Sequence, residues 1–171
     1  MAKKKVKIIV DADVLIHFAK GGVLSILPSI FPEYQYIILR NVYDEVISLH
    51  TQLDNQIKFI KNIVLEEFVP TGEMLLEYAN LSNTFGDGES ACMAYCKFNH
   101  DVVGSSNLND IKEYCNDNNI TYVTTLDFLY YAFKRKVFTA DECNKIIQDV
   151  RTHGSKLPDI TIEKYCCSVE L

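Results

Sequence analysis

Short apolar runs alternate with amphipathic stretches along the chain. Lys7–Val10 ends in Ile8-Ile9-Val10, as a strand buried on both faces does. Val23–Ile30 predicts a short helix ending near Pro32, and Tyr36–Leu39, "YIIL", a second buried strand. Asn41, with Asp44 three residues on, resembles a capping box opening a helix that carries Val42, Val46 and Leu49 on one face. Gln56–Val64 continues as helix, and Leu65–Val69 reads as a short strand or extended link. Glu73–Leu81 is amphipathic helix, broken by the two glycines of "NTFGDGES". Asp87 or Gly88 starts the next helix, where Ala91, Met93, Ala94 and Cys96 are apolar. Asp101–Ser105 reads as strand, Asn109–Asn118 as helix and "NNITYVTT" as strand. Two helices follow, broken near Phe138-Thr139. This alternation predicts an α/β fold, a three-layer α/β/α sandwich around a central, mostly parallel sheet. No repeat or linker divides the chain, so 1–171 reads as a single domain, with 126–171 a C-terminal helical extension packed on it.

Composition narrows the class. At 171 residues the chain can bury a substantial core, and 48% hydrophobic with 23% charged residues suits a globular protein. No apolar run approaches the ~20 residues of a membrane helix. The start, "MAKKKVKIIVDAD", reads as a mature N-terminus, because Asp11 and Asp13 interrupt the apolar run too early for a signal peptide. Six cysteines without a CxxC pair predict reduced thiols in a cytoplasm. Cys92 and Cys96 share a helix face and read as small buried apolar residues, with a metal or redox pair as the alternative. A net charge of −6 argues against non-specific DNA coating but not against a nuclease, since acids gathered in a metal site depress the total. The basic groups, Lys3-Lys4-Lys5-Lys7, Lys134-Arg135-Lys136 and Arg151 with Lys156, are solvated faces or phosphate tracks. Tyr130, Tyr131 and Phe133 read as core, with a dimer face as the alternative.

The acids fall in a pattern. Asp11 and Asp13 follow the first strand, Asp44 and Glu45 the second, and Asp87 and Glu89 open the helix before the third. The third strand runs into Ser105-Ser106-Asn107, with Asn109 and Asp110 beyond. In a doubly wound sheet these positions meet at the carboxyl edge, where ligands collect. Gathered carboxylates raise one another's pKa unless a cation sits among them, and oxygen ligands without nearby His or Cys suit Mg²⁺ or Mn²⁺ better than Zn²⁺. Duller roles are available: Asp13 as cap of a helix starting at Val14, Asp87 as an N-cap, Asp44 as a capping acid, Glu45 as a solvated residue, Glu89 as a first-turn acid. Asp11, ending a buried strand, is the hardest to explain without a ligand. His17 reads as a partner of Asp13 or as a partly buried surface residue. No Gly-x-Ser-x-Gly elbow and no P-loop lysine motif occur.

These residues resemble the PIN-domain nucleases. "KIIVDADVLIHFAK" resembles the family's opening motif and "NVYDEV" its second. "GDGESACMAYC" is similar to the "GEAEA"-type third motif of a bacterial and archaeal toxin-like subgroup. "VVGSSNLNDIKEYC" and "ITYVTTLDFLYYAFKRKVFT" follow in that subgroup's order. The resemblance implies a metal-dependent single-strand endoribonuclease, often the toxin of a toxin–antitoxin pair and usually a homodimer. Asp11, Glu45 and Glu89 match the family's metal-binding acids, and Asn107 stands nearest the fourth, normally an aspartate. An amide oxygen brings no negative charge, which counts against full activity. Thr124 and Asp127 replace the glycines of the family's "GTLG" turn. The mechanism implied is activation of a water by the metal, with Asp13, Asp87 or Asp110 positioning the water or a second ion. Ser105 and Ser106 would brace a ligating carboxylate, and Lys112, Lys134, Arg135 and Lys136 would contact phosphates. Two rivals stand: a catalytically degenerate PIN-like module binding RNA or protein, and a haloacid-dehalogenase-like phosphatase. "IIVDADVLI" and "GDGES" resemble the phosphatase's motifs, but a strand should precede its Gly-Asp.

Overall fold

The computed structural model describes residues 5–171, so Lys3 and Lys4 of the first basic group lie outside the described residues. The strands are β1 (Lys7–Val10), β2 (Gln35–Leu39), β3 (Ile63–Glu66), β4 (Val102–Gly104) and β5 (Tyr122–Val123). They form one sheet in the order β3-β2-β1-β4-β5, with every pairing parallel. Parallel neighbours require crossovers, and these carry the helices: α1 (Ala12–Lys20), α2 (Leu27–Ile30), α3 (Arg40–Glu45), α4 (His50–Asp54), α5 (Gly72–Leu81), α6 (Asp87–Asn99), α7 (Leu108–Asp117), α8 (Thr125–Lys134) and α9 (Ala140–Thr152).

The chain builds β1 to β3 in one direction, then returns to lay β4 and β5 on the other side of β1. Right-handed crossovers therefore put α1 and α2 on one face and α5, α6 and α7 on the other. Helices α8 and α9 pack with α1, completing the α/β/α sandwich. Phe128 of α8 meets Phe18, Phe31 and Tyr36 at centroid distances of 5.9, 5.8 and 6.3 Å. The strand order reverses between β1 and β4, which opens a crevice at the carboxyl edge of those strands.

The strands form where their runs can be buried. Ile8, Ile9, Val10, Ile37, Ile38 and Leu39 have no exposed surface. Cys92, Cys96, Cys115 and Cys143 are buried free thiols, and burial holds the Cys92 and Cys96 thiols well above their usual range. Tyr130, Tyr131 and Phe133 are half-buried; Tyr131 lies 5.0 Å from the Phe31 ring and its hydroxyl donates to the Val169 carbonyl at 2.7 Å. No helix among the described residues is long and apolar enough to cross a membrane.

Two expected elements move. The helix after β2 starts at Arg40 and has no side-chain cap, so Asn41 lies inside it and its amide is used elsewhere. The helix expected over Gln56–Val64 stops earlier: a π-helical turn, Asn55–Ile60, ends at Lys61 in the left-handed region (φ 59°). β3 then runs Ile63–Glu66 beside β2, so the strand or link expected over Leu65–Val69 begins two residues earlier and ends at Glu66.

Candidate active site

At the end of β1 the Asp11 N–H donates to the Gly104 carbonyl at 2.8 Å, the last rung against β4. The Asp11 side chain then caps α1, accepting from the Ala12 N–H at 2.8 Å. That corrects the expected cap: α1 starts at Ala12, and Asp13 lies in its first turn. One Asp13 oxygen accepts from the Val14 N–H and the other from the Ser106 N–H, both at 2.7 Å, with the Ser105 hydroxyl at 3.5 Å. Asp13 thus ties α1 to the loop after β4. Ser106 passes the tie onward: its hydroxyl donates to Thr125 Oγ1 at 2.8 Å and accepts from the Thr125 N–H at 2.7 Å. His17 closes this chain, with Nδ1 2.8 Å from Thr125 Oγ1. It is a buried residue on Thr125, not a partner of Asp13 or a surface group, and burial lowers its pKa to about 4, so it is neutral at pH 7.

The second and third acids come from α3 and α6. Glu45, the last residue of α3, accepts from the Gly88 N–H at 2.8 Å. Gly88 is the second residue of α6, whose N-cap Gly86 has no side chain to satisfy the helix's first N–H groups, so Glu45 acts as the cap. Glu89 follows, half-buried. Asn107 bridges two acids: its amide donates to Glu89 at 3.1 Å and to Asp110 of α7 at 2.6 Å. Asp87 is the first residue of α6 and not its cap; it accepts from Asn41 at 2.8 Å and from the Tyr78 hydroxyl.

Charge around this edge is uncompensated. No Lys or Arg among the described residues pairs with Asp11, Asp13, Glu45, Glu89 or Asp110. Burial, then Asp13 and Glu45, raise the Asp11 pKa to about 7. Burial, then Asp11 and Asp110, raise that of Glu89 to about 8. Burial also raises that of Asp13. The carboxylates feel one another, yet among the described residues no three His, Cys, Asp or Glu side chains form a ready-made metal cage. In kind the donors fit a hard divalent cation: they are oxygens, mutually repelling, from four segments of chain.

The basic residues stand elsewhere. Arg135 donates to both oxygens of Glu33 at 2.9 and 2.6 Å and to the Ile30 carbonyl at 3.0 Å, with its guanidinium 4.7 Å from the Phe31 ring. Those partners precede β2, so Arg135 clamps the amino edge, opposite the acids, and is spent on that clamp. Lys134, against the Tyr130 ring at 5.4 Å, and Lys136 flank it there. Lys112 is exposed on α7, in a shallow depression with Asn109 and Glu113. The expected phosphate track along 134–136 is therefore corrected by position. Arg135→Ala is expected to cost about 1–2 kcal/mol in urea unfolding, from the lost bidentate pair and ring contact, and to leave any nucleic-acid cleavage unchanged. A tenfold loss of cleavage at full folding would restore a phosphate role.

Helix α5, not a strand, leads into Gly86-Asp87-Gly88, which removes the structural basis of the phosphatase rival. The altered turn has a local account: Thr124 and Asp127 form a capping box for α8, and Asp127 also accepts from the Tyr165 hydroxyl at 2.6 Å. Sequence reasoning missed Gly88 as a contact of Glu45, Thr125 as the link to His17, and Arg40, a cation on the second acid's helix. The glycine immediately before the "ES" pair was the available signal for the first.

A family model described as a PIN domain matches residues 7–170. No curated protein and no solved structure matches the chain.

Proposed function

The chain belongs to the PIN-domain family, and from that premise we propose that it is a divalent-metal-dependent endoribonuclease cutting single-stranded RNA, the toxin of a toxin–antitoxin pair acting in the cytoplasm as a homodimer. Family membership points to nuclease-type hydrolysis; substrate, metal, antitoxin and dimer are our reading. The observation that carries it is the set of carboxylates at the β1/β4 crevice that no Lys or Arg among the described residues pairs with.

Asp11, Glu45 and Glu89 would hold a Mg²⁺ or Mn²⁺ ion. When bound, such an ion lowers the pKa of a water and offsets charge developing on the phosphodiester oxygens. Asp11 is fixed by its cap to Ala12, and Glu45 by Gly88. Asp13, held by two backbone N–H groups, keeps the β4 loop on α1. Asp110, sharing the Asn107 amide with Glu89, is the acid best placed to accept a proton beside the site. Asp87, taken by Asn41 and Tyr78, braces the start of α6.

One observation favours a second reading, a degenerate module that binds RNA or protein without cutting: the Asn107 amide already stands between Glu89 and Asp110, giving them two N–H donors in place of a cation. Calorimetry with Mn²⁺ and an RNA cleavage assay separate the two. The nuclease reading expects heat of Mn²⁺ binding and strand scission that EDTA removes. RNA binding without Mn²⁺ heat or scission would establish the degenerate module instead.

A further inference from the structure

Beside Glu45 lies a cavity of about 400 Å³ that the acids do not account for. We propose that it is a subsite for a single unpaired guanine of the RNA, next to the phosphate held at the acidic crevice. The inference rests on the endoribonuclease reading.

The charge of the cavity selects what enters it. Among the described residues its walls carry one cation, Arg40, against Asp44, Glu45, Glu67 and Asp87. A phosphate would be repelled there, whereas a neutral base with N–H donors would be attracted. The volume suits one nucleoside, the lower end of ordinary ligand pockets. Phe68 supplies an aromatic wall, and its ring is braced edge-to-face on Tyr78 at 5.1 Å, so stacking a base on it costs little ordering.

The polar pair on the wall picks the base. Arg40 Nε donates to Glu67 Oε1 at 2.9 Å, and the guanidinium lies 5.4 Å from the Tyr43 ring. No other hydrogen bond within the described residues uses the Arg40 terminal amino groups or the second Glu67 oxygen. The pair thus presents donors and an acceptor side by side. Guanine is their complement along its Watson–Crick edge: O6 faces the arginine while N1–H and N2–H face the carboxylate. Adenine offers one amino group and one acceptor, cytosine one amino group and two acceptors, and uracil one N–H between two acceptors, so none of them presents two adjacent N–H groups to the carboxylate beside an acceptor for the arginine. Asn41 is held on Asp87 at 2.8 Å and forms the floor toward α6.

The test has two arms that fail separately. Fluorescence anisotropy without divalent metal compares labelled ApGpA with ApApA, ApUpA and ApCpA. ApGpA is expected to bind about tenfold to hundredfold more tightly, and Glu67→Gln to reduce that preference at least tenfold. Equal binding of the four, or a preference untouched by Glu67→Gln, overturns the subsite whether or not the protein cuts RNA. Mapping of Mn²⁺-dependent cuts in a mixed-sequence RNA forms the second arm. Cuts flanked by guanine are expected, with Glu67→Gln lowering the share of cuts that guanine flanks. Cuts at random positions overturn the subsite and leave the nuclease reading standing. Absence of any cut, with ApGpA still preferred, defeats the nuclease reading and leaves the guanine subsite.

Discussion

Replacing Asp11 by asparagine is expected to abolish metal-dependent RNA cleavage and, in the same molecule without metal, to increase stability. The two effects share one cause. Asp11 is 6% exposed, and its pKa of about 7 lies well above the ordinary 3.8. A carboxyl whose pKa rises on folding binds its proton more tightly in the folded state. Its contribution is fully present below about pH 4 and is lost as pH rises through about 7, where the buried group must ionise beside Asp13 and Glu45. Asparagine keeps the shape and caps a helix as well as aspartate does, so the α1 start is retained while the charge goes. In EDTA at pH 8 the variant is expected to gain up to about 4 kcal/mol over the native protein in urea unfolding, and almost nothing at pH 4. With Mn²⁺ the order reverses, since only the native protein is stabilised by binding. Cleavage should fall by about 10²–10³-fold or more, the scale of a lost electrostatic stabiliser. A variant that is no more stable at pH 8 in EDTA would show that Asp11 is not strained by its neighbours; undiminished cleavage would remove it from the mechanism.

The order of elements and the acids' shared edge were legible in the chain, because buried strands announce themselves. Ile8-Ile9-Val10 and "YIIL" are runs no solvated segment would carry, and parallel pairing then fixes where Asp11 and Glu45 emerge. What was not legible depends on partners remote in sequence. Asn41 has the residue type and spacing of a cap, yet β2 passes directly into α3 and its amide reaches Asp87, 46 residues on. Phe59, Ile60, Ile63 and Val64 carry enough apolar side chains to look helical, and only the left-handed turn at Lys61 and the pairing of Ile63 with Tyr36 divide them. The basic run 134–136 was legible as charge but not as place: ten residues of α8 carry it about 15 Å from the carboxyl edge. His17 lies four residues after Asp13, as a partner would, but its ring finds Thr125, 108 residues away.

Gly88→Ala sets local propensity against the site. In the first turn of α6 an alanine should be favoured over glycine by up to about 1 kcal/mol. At this position a Cβ would stand 2.8 Å from Glu45 Oε2 and 3.1 Å from its Cδ and Oε1. The obstructing atoms belong to the end of a flexible side chain, so the fold can yield by turning Glu45 away. The cost is the bond from the Gly88 N–H to Glu45, about 1 kcal/mol, which nearly cancels the gain. Global stability is therefore expected to stay within about 1 kcal/mol of the native protein. Function is not protected in the same way, because Glu45 points at the crevice only while that N–H holds it. Mn²⁺ affinity and RNA cleavage should each fall by about 10–100-fold, the usual effect of losing the group that orients a metal ligand. Gly86→Ala is the control, since a Cβ there meets nothing within 4 Å, and it should alter neither quantity. A double-mutant cycle makes the link specific: once Gly88→Ala has displaced Glu45, adding Glu45→Gln should cost much less than it does alone. Full cleavage by the Gly88→Ala protein, or strict additivity of the two changes, would mean that Glu45 reaches the crevice without its glycine.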